Sequence, residues 1–332
     1  MHDYLVKMLI CPACRGSLSW TISEQRGDRI EAADASCTLC EANYPVRDGI
    51  GLFLTPDLPR HDLWEEVESG LPAYLRENPE TAQQLLEAPL ETLGAADYFF
   101  RSMALEERGD FDTAKAVADK AEGGLYTKAY LAASERILEA AIDHLEKGSG
   151  PIVDLASGRG HLVERIVRRL KRPVVMTDFS PLILRRNRRW FTHFGLYEQI
   201  SLLAFDARKT PFADNAVQTL TTYYGLANIE RPGELLAELR RIVSGTFLAC
   251  TLFYPEGDEA NRAVIREIGL EEMMYSRLAL AQFEAAKWRV SFVEQVDGEA
   301  LPTPRSELLG GAGIDGLPVA PTTILWRLLA AR

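Results

Sequence analysis

Residues 151–180 read PIVDLASGRGHLVERIVRRLKRPVVMTDFS, and this stretch carries the strongest signal of the chain's fold. A short apolar run ends in Asp154, and a turn of small residues follows at 156–160. Apolar residues then recur at helical spacing, and a second apolar run ends in Asp178. Strand, glycine turn, helix, strand and acid in this order predict the first half of a nucleoside-binding α/β domain. The glycines let a ligand approach the backbone closely, and the second acid is placed to accept hydrogen bonds from ribose hydroxyls.

The turn does not follow the dinucleotide pattern G-x-G-x-x-G, because it reads D-x-A-x-G-x-G after an acid. It resembles motif I of class I methyltransferases that depend on S-adenosylmethionine (SAM), with Ala156 where that family usually has glycine. The resemblance implies a Rossmann-like, seven-stranded α/β domain over residues 121–332. Four later segments agree with the family in the same order, at 205–207, 210–217, 220–229 and 234–253.

The resemblance also implies a set of SAM contacts. Asp154 would orient the glycine turn, Asp178 would hold the ribose, and Asp206 would accept a hydrogen bond from the adenine amine. Each of these acids has an alternative interpretation as a helix cap or a solvated strand end. The complete implied set is Asp154, Ala156, Ser157, Gly158, Gly160, Asp178, Phe179, Asp206, Ala207 and Tyr223.

The acceptor side of the site is less specified by the sequence. Tyr223 and Tyr224 stand where many family members place the residues beside the transferred methyl. His161 is a candidate general base, because histidine titrates near neutrality, or else a helix-start residue that faces solvent. The (N/D)PP(Y/F) signature of many N-methyltransferases is absent from this segment, which argues against an enzyme of that type. The candidate substrate contacts are Tyr126, Tyr130 and Asn228, and both tyrosines also fit a core position.

Four of the five cysteines form two CxxC pairs, Cys11 with Cys14 and Cys37 with Cys40. Two such turns supply the four thiolates that Zn²⁺ takes in a tetrahedral structural site, whereas a redox dithiol is the alternative. The stretch between the pairs predicts a β-hairpin. The flanking sequence over 9–50 resembles the Trm112-like zinc-ribbon family, whose members are partner subunits that activate methyltransferases. We therefore expect a structural Zn²⁺ in an N-terminal ribbon.

The chain divides by pattern into three parts. Five prolines punctuate an acidic, helix-prone middle part, which we interpret as a linker or as a lid over the substrate. A helix is expected at 125–146, a helical substrate-covering insertion at 258–287, and two final strands at 288–297 and 322–329. The expected parts are a Trm112-like zinc ribbon at 1–54, a helical linker or lid at 55–120 and the SAM-dependent methyltransferase domain at 121–332.

The composition and charge of the chain limit the classes of partner that it is expected to bind. The net charge of −11 argues against broad affinity for nucleic acid. Two arginine-rich segments, 165–172 and 185–189, are interpreted as solvated or interface faces, with phosphate contact as the alternative. No apolar run approaches the ~20 residues that span a bilayer, so no membrane partner is expected. The N-terminal residues lack the pattern of a secretory signal, and we expect a cytoplasmic protein with reduced cysteines.

Three functions compete at this level. The first is SAM-dependent methylation of a small molecule at oxygen, nitrogen or carbon. The second is methylation of rRNA or tRNA with the ribbon as a docking module, although acidic side chains outnumber basic ones in residues 1–50. The third is a degenerate methyltransferase fold that serves as a scaffold or regulatory partner, and the retained acids and glycines argue against it. The sequence names neither the acceptor atom nor the oligomeric state.

Overall fold

The computed structural model describes residues 1–55 and 63–332, with side chains described outside 63–69. Residues 56–62 of the expected linker lie outside the described residues. Within the described part of the chain, eleven strands form one sheet, rather than the seven expected for the methyltransferase part alone. The strands are β1 (Leu18–Arg26), β2 (Arg29–Cys37), β3 (Asn43–Arg47), β4 (Ile50–Leu52), β5 (Ile152–Leu155), β6 (Val174–Asp178), β7 (Ile200–Ala204), β8 (Val217–Tyr223), β9 (Val243–Phe253), β10 (Val290–Ala300) and β11 (Thr322–Ala331).

Eleven helices accompany the sheet in the same described residues. They are α1 (Leu63–Glu77), α2 (Pro79–Glu87), α3 (Ala95–Glu107), α4 (Phe111–Leu125), α5 (Lys128–Leu145), α6 (His161–Arg169), α7 (Pro181–His193), α8 (Pro232–Ile242), α9 (Glu259–Glu267), α10 (Glu271–Met274) and α11 (Ser276–Ala285). None of the described helices is both long and apolar enough to cross a membrane.

The sheet runs in the order β1-β2-β3-β4-β7-β6-β5-β8-β9-β11-β10. The strands from β4 to β9 pair in parallel, whereas β11 lies antiparallel between β9 and β10. Strand order reverses between β5 and β8, because the chain first builds outward through β6 and β7 and then returns to the other side of β5. Open α/β sheets bind ligands beyond the carboxyl ends of the strands at such a reversal. We therefore expect the binding crevice of this fold to lie next to β5 and β8.

The N-terminal segment joins this sheet edge to edge, which the sequence did not predict. The expected hairpin is confirmed as β1 and β2, and β4 pairs in parallel with β7 so that Leu52 lies opposite Ala204. A Cβ added to Gly51 would lie 2.7 Å from a methyl of Leu203, so glycine at this position leaves space for the Leu203 side chain. β4 is too short to bury itself, and pairing with β7 satisfies its backbone groups.

A second contact ties the cysteine-bearing loop to the segment after β7. The amide of Ile10 donates to the Pro211 carbonyl at 2.7 Å, and the amide of Ala213 donates to the Met8 carbonyl at 2.9 Å. The N-terminal segment therefore contacts residues 204–213 at both ends, through β4 at one end and through the cysteine-bearing loop at the other. This arrangement couples the two parts of the chain through backbone hydrogen bonds.

The remaining sequence predictions of secondary structure are confirmed with small shifts. The helix expected at 125–146 is α5, and the side chain of Thr127 caps it by accepting from the Tyr130 amide at 3.0 Å. The helical insertion expected at 258–287 consists of α9, α10 and α11. The two final strands are β10 and β11, each longer than predicted.

Candidate functional site

The glycine turn leaves the carboxyl end of β5 in a strained backbone form. Ala156, Gly158 and Gly160 all have positive φ, at 49°, 51° and 83°. A Cβ on Gly160 would lie 2.8 Å from the Met176 methyl, so this position requires glycine on two grounds. Ala156 is accommodated because its neighbour Gly225 carries no Cβ; one placed there would lie 2.6 Å from the Cβ of Ala156. The sequence did not single out Gly225.

Asp154 lies under this turn and is buried. Its carboxylate accepts from the Thr221 hydroxyl at 2.6 Å, and its carbonyl accepts from the Ser157 and Thr177 hydroxyls at 3.0 and 2.8 Å. Burial raises the pKa of Asp154 to about 6. The residue therefore braces the turn and titrates within a range that experiments can reach.

Asp178 lies at the carboxyl end of β6 and is also buried. One carboxylate oxygen accepts from the Gly158 amide at 2.9 Å, and the other accepts from the Ser180 amide at 3.0 Å. The acid thus holds the glycine turn and the start of α7 together. Phe179 is half-buried next to it.

Asp206 follows β7 and forms a buried ion pair that the sequence analysis did not expect. Its two oxygens accept from the Arg208 guanidinium at 2.9 and 2.6 Å, and the backbone amide of Arg208 adds a bond of 2.9 Å. Both side chains are almost completely buried. Ala207 between them is also buried. Any ligand that meets Asp206 therefore meets an arginine beside it.

Four tyrosines and a tryptophan form an aromatic cluster at the crevice, defined as Tyr126, Tyr130, Tyr223, Tyr224 and Trp326. Ring centroids are 5.0 Å apart for Tyr126 and Tyr130, and 4.6 Å apart for Tyr223 and Tyr224. The Trp326 ring contacts Tyr130 at 5.2 Å and Tyr224 at 4.8 Å. The structure thus brings together four of the residues that the sequence proposed for catalysis or substrate contact. Trp326, from the antiparallel strand β11, was not predicted.

The tyrosine hydroxyls of this cluster are hydrogen-bonded and remain protonated. The Tyr223 hydroxyl lies 2.8 Å from the Ser134 hydroxyl, and the Tyr130 and Tyr224 hydroxyls lie 3.3 Å apart. Burial raises the pKa of Tyr130 to about 12 and the pKa of Tyr223 and Tyr224 further. These groups can therefore orient a ligand by hydrogen bonds, but they do not act as bases at neutral pH.

Two further polar groups face the same region. The His161 side chain is exposed, and its ring centroid lies 6.4 Å from that of Tyr223. Desolvation by neighbouring protein atoms, together with the charges of Arg159 and Arg186, lowers the pKa of His161 below its ordinary value. The imidazole is therefore neutral at physiological pH. Asn228 ends a short helical turn and is exposed, and its side chain makes no hydrogen bond to the residues described.

Asp315 closes the aromatic cluster from a loop that the sequence analysis described only as rich in glycine and proline. The Tyr126 hydroxyl donates to its carboxylate at 2.8 Å, 189 residues apart in sequence. Burial raises the pKa of Asp315 above its ordinary value. No periodic pattern marks this residue, so only the folded chain shows that the loop reaches the crevice.

A buried ion cluster attaches the N-terminal helices to the glycine turn. Glu106 of α3 accepts from Arg186 of α7 at 2.7 and 2.8 Å and also pairs with Arg159 of the turn. Glu106 and Arg186 are each more than nine-tenths buried. Burial alone would raise the pKa of Glu106, but the charges of Arg159 and Arg186 lower it below its ordinary value. Glu106 could not be found from the sequence, because the neighbouring glutamate of the same helix, Glu107, has the same local pattern.

The arginine-rich segments mostly pair inside the chain. Arg165 and Arg169 of α6 face carboxylates of α5, and Arg168 pairs with Glu164 one turn earlier. Arg188 of α7 lies within 3.4 Å of Glu31 on β2. These arginines therefore have carboxylate partners within the chain, and their interpretation as a solvated or interface face stays a prediction.

The four cysteines of the CxxC pairs converge. Their sulfur atoms all lie within 4.8 Å of one another. A tetrahedral zinc site with Zn–S bonds of about 2.3 Å places its sulfurs about 3.8 Å apart, so the cluster matches the size of such a site. The Tyr44 hydroxyl lies 3.3 Å from the Cys11 sulfur, and two backbone amides point to the Cys37 sulfur at 3.4 and 3.5 Å. Donors of this kind stabilise thiolate ligands.

Comparisons with known proteins agree with this geometry over the central part of the chain. A family model described as a methyltransferase domain matches residues 152–245. Residues of this chain are 33% identical over 99 positions to the ubiquinone/menaquinone biosynthesis C-methyltransferase UbiE of Desulfotalea psychrophila, and 32% identical over 94 positions to UbiE of Cupriavidus taiwanensis. These alignments cover 30% and 28% of this chain and 39% and 38% of the relatives, so the chain spans well under half the length of either.

A solved structure of a putative methyltransferase from Bacillus halodurans also resembles the chain. The similarity covers 59% of this chain and 97% of the other, at 16% identity and a TM-score of 0.46. Residues 152–245 are thus similar to a methyltransferase domain, and the glycine turn and the strand order of the structure agree with this similarity.

Proposed function

We propose that this protein transfers a methyl group from SAM to a small molecule that it encloses between its helices and the carboxyl ends of β5 and β8. The observation that carries the proposal is the position of the aromatic cluster, which adjoins the glycine turn through the contact of His161 with Tyr223. α3 reaches the glycine turn through Glu106, and the C-terminal loop reaches the aromatic cluster through Asp315. Segments on two sides of the site would enclose a small acceptor better than a polymer.

The residues around the glycine turn fit SAM. Gly158 and Gly160 give the turn the positive φ that would bring its backbone close to the methionine part, Asp154 braces the turn, and Asp178 at the end of β6 would accept from ribose hydroxyls. Phe179, Asp206 and Ala207 would meet the adenine. Bound SAM supplies a methyl group on a positively charged sulfur, which makes it an activated donor. The chain then has mainly to hold the acceptor in line with that methyl, because proximity and orientation supply much of the rate.

On the acceptor side, Tyr223 and Tyr224 would position the acceptor through hydroxyls that stay protonated. His161, being neutral, could accept a proton from it. The relatives carry the name C-methyltransferase, so a carbon nucleophile is the first acceptor class to test. Methylation of rRNA or tRNA is less favoured, because several of the arginines that might contact phosphates pair with carboxylates of this chain.

We also propose that Cys11, Cys14, Cys37 and Cys40 hold one structural Zn²⁺ in a Trm112-like ribbon. Four thiolates leave no open coordination position, so the metal would stabilise the fold and take no part in chemistry. The ribbon would act on the enzyme as a Trm112-like partner subunit does, but in the same chain.

Replacing Asp178 with alanine is expected to weaken SAM binding at least tenfold. The variant loses the ribose acceptor and also the two backbone hydrogen bonds that hold the turn, and hydrogen bonds to charged groups are worth about 1.5–3 kcal/mol. Isothermal calorimetry with SAM measures the change. Asp143→Ala on the exposed face of α5 is the control and should bind SAM normally. Equal affinity of both variants would remove Asp178 from the site.

SAM affinity is expected to fall as the pH drops below about 6, the pKa of Asp154 in the free protein. An ionised Asp154 favours the positively charged methionine part, so protonation opposes binding by linkage. The stability of the SAM-free protein should depend on pH in the opposite direction. Its free energy of unfolding should fall as the pH rises through about 6, because a buried acid with a raised pKa destabilises the fold once it ionises. Calorimetry from pH 5 to 8 tests the change in SAM affinity, and Asp154→Asn should bind SAM more weakly and without the pH dependence. A wild-type affinity that is constant over this range would contradict the role of Asp154.

Replacing Tyr223 with alanine is expected to lower turnover far more than SAM affinity, because only alignment of the acceptor is lost. Tyr223→Phe separates the two functions of the side chain, since it keeps the ring and removes the bond to Ser134. Single-turnover rates with the true acceptor and SAM calorimetry provide the measurements. Normal turnover in the alanine variant would exclude Tyr223 from the site.

A further inference from the structure

A cavity of about 210 Å³ lies among the N-terminal helices, on the side of the glycine turn where Arg159 points. Its residues come from α1, α2, α3 and the ion cluster. None of the aromatic cluster residues belongs to its described lining. The apolar lining residues are Leu71, Pro72, Leu75, Ala82, Leu86, Met103 and Ala104.

The charged residues around this cavity are unevenly balanced. Arg76, Arg108, Arg159 and Arg186 line it together with two acids, Glu106 and Glu107. Glu106 is already bound to Arg159 and Arg186, so it adds no free negative charge. The cavity therefore has apolar walls and a surplus of positive charge.

Arg76 and Arg108 line the cavity and also an adjoining shallow depression. The depression shares Leu75, Ala82 and Leu86 with the cavity and adds one acid, Glu87. Both side chains are exposed, and neither has a carboxylate within ion-pair distance among the residues with described side chains. Two guanidinium groups without such partners at the edge of an apolar cavity form a receptor for an anionic group.

We propose that this cavity binds a small amphipathic anion, an apolar chain that ends in a carboxylate or phosphate. The chain would lie against Leu75, Leu86 and Met103, and the anionic end would meet Arg76 and Arg108. The size is adequate, since a cavity of about 150 Å³ with apolar walls can hold a benzene ring. An uncharged alcohol would lack the anionic group that meets the two arginines, and a small inorganic anion would lack the chain that lies against the apolar walls. The proposal does not depend on methyl transfer.

The test is a titration of the intact, metal-loaded protein with decanoate, decyl phosphate, decanol and inorganic phosphate, all below their micelle concentrations. Calorimetry is expected to show that at least one of the two long-chain anions binds at least tenfold more tightly than decanol and inorganic phosphate. Binding of decanol with equal affinity would overturn the anionic half of the proposal. Failure of both anions to bind would overturn the whole.

Two variants locate the site. Replacing both Arg76 and Arg108 with glutamine should weaken the anion at least tenfold and leave decanol unchanged. Ala82→Trp, at a half-buried position, should block the chain. Arg277→Gln, on the exposed surface of α11 and outside the cavity lining, is the matched control and should bind like the wild type. Unchanged anion affinity in both the double variant and Ala82→Trp would place binding elsewhere and refute the assignment.

Discussion

Replacing Cys37 with serine is expected to reduce the metal content from about one zinc per chain to near zero and to weaken SAM binding at least tenfold. Structural zinc supplies about 10–16 kcal/mol of apparent binding energy in small modules, and much of this is folding energy. Cys37 ends β2 and is buried, so its replacement removes one of the four proposed ligands at a position that solvent does not readily reach. Of all the changes considered for this protein, we expect this one to have the largest effect.

The expected loss of SAM affinity follows from the backbone hydrogen bonds between the N-terminal segment and residues 204–213. The amide of Phe53 donates to the Ala204 carbonyl at 2.7 Å, and the loop before Cys11 pairs with Pro211 and Ala213 on the other side. Asp206 lies between these two contacts. A ribbon without its metal would release them, and the proposed adenine pocket would lose its shape although no SAM contact had been mutated.

Metal analysis and SAM calorimetry on the same preparation measure both effects. Cys250→Ala is the control for loss of one thiol, since Cys250 lies buried in β9 outside the cluster, and it should retain the metal. Chelation of the wild-type protein should reproduce the Cys37→Ser result. Zinc-free protein that binds SAM with full affinity would show that the sheet contacts do not couple the two sites.

Replacing Glu106 with alanine is expected to lower the free energy of unfolding by about 3–5 kcal/mol, the usual cost when one partner of a buried ion pair is removed. Arg186 would stay buried with two neutral acceptors, the Arg159 carbonyl and the Asn187 side chain, at 3.2 and 2.9 Å. The charge left behind would be only partly compensated. The attachment of α3 to the glycine turn would be lost as well, so SAM affinity should fall too.

Urea unfolding at pH 7 measures this change. Because Arg159 and Arg186 lower the pKa of Glu106, its stabilising effect is present above the ordinary glutamate pKa and is lost as the pH falls through the folded value. The wild type should therefore lose stability toward low pH more steeply than Glu106→Gln. Glu107→Gln, at the exposed next position, is the control. A loss below about 1 kcal/mol in Glu106→Ala would mean that the ion pair contributes little.

The sequence by itself determined the parts of this protein that have a local pattern. The glycine turn with Asp154 and Asp178, the hairpin between the cysteine pairs and the helix before β5 follow from residue types at short, regular spacing. Backbone geometry at such spacing is dictated by steric limits and burial periodicity, so it can be predicted without knowledge of distant contacts.

Which distant segments of the chain contact one another could be seen only in the folded structure. Four contacts of this kind are the pairing of β4 with β7, the ion cluster of Glu106, the contact of Asp315 with Tyr126 and the packing of Gly225 on Ala156. Their side-chain hydrogen bonds join residues that are between 53 and 189 positions apart. A strand of three residues, one glutamate in an acidic helix and one aspartate in a loop leave no periodic signal. Their partners are chosen by the burial of charge and of backbone groups across the whole chain, and that choice exists only once the chain has folded.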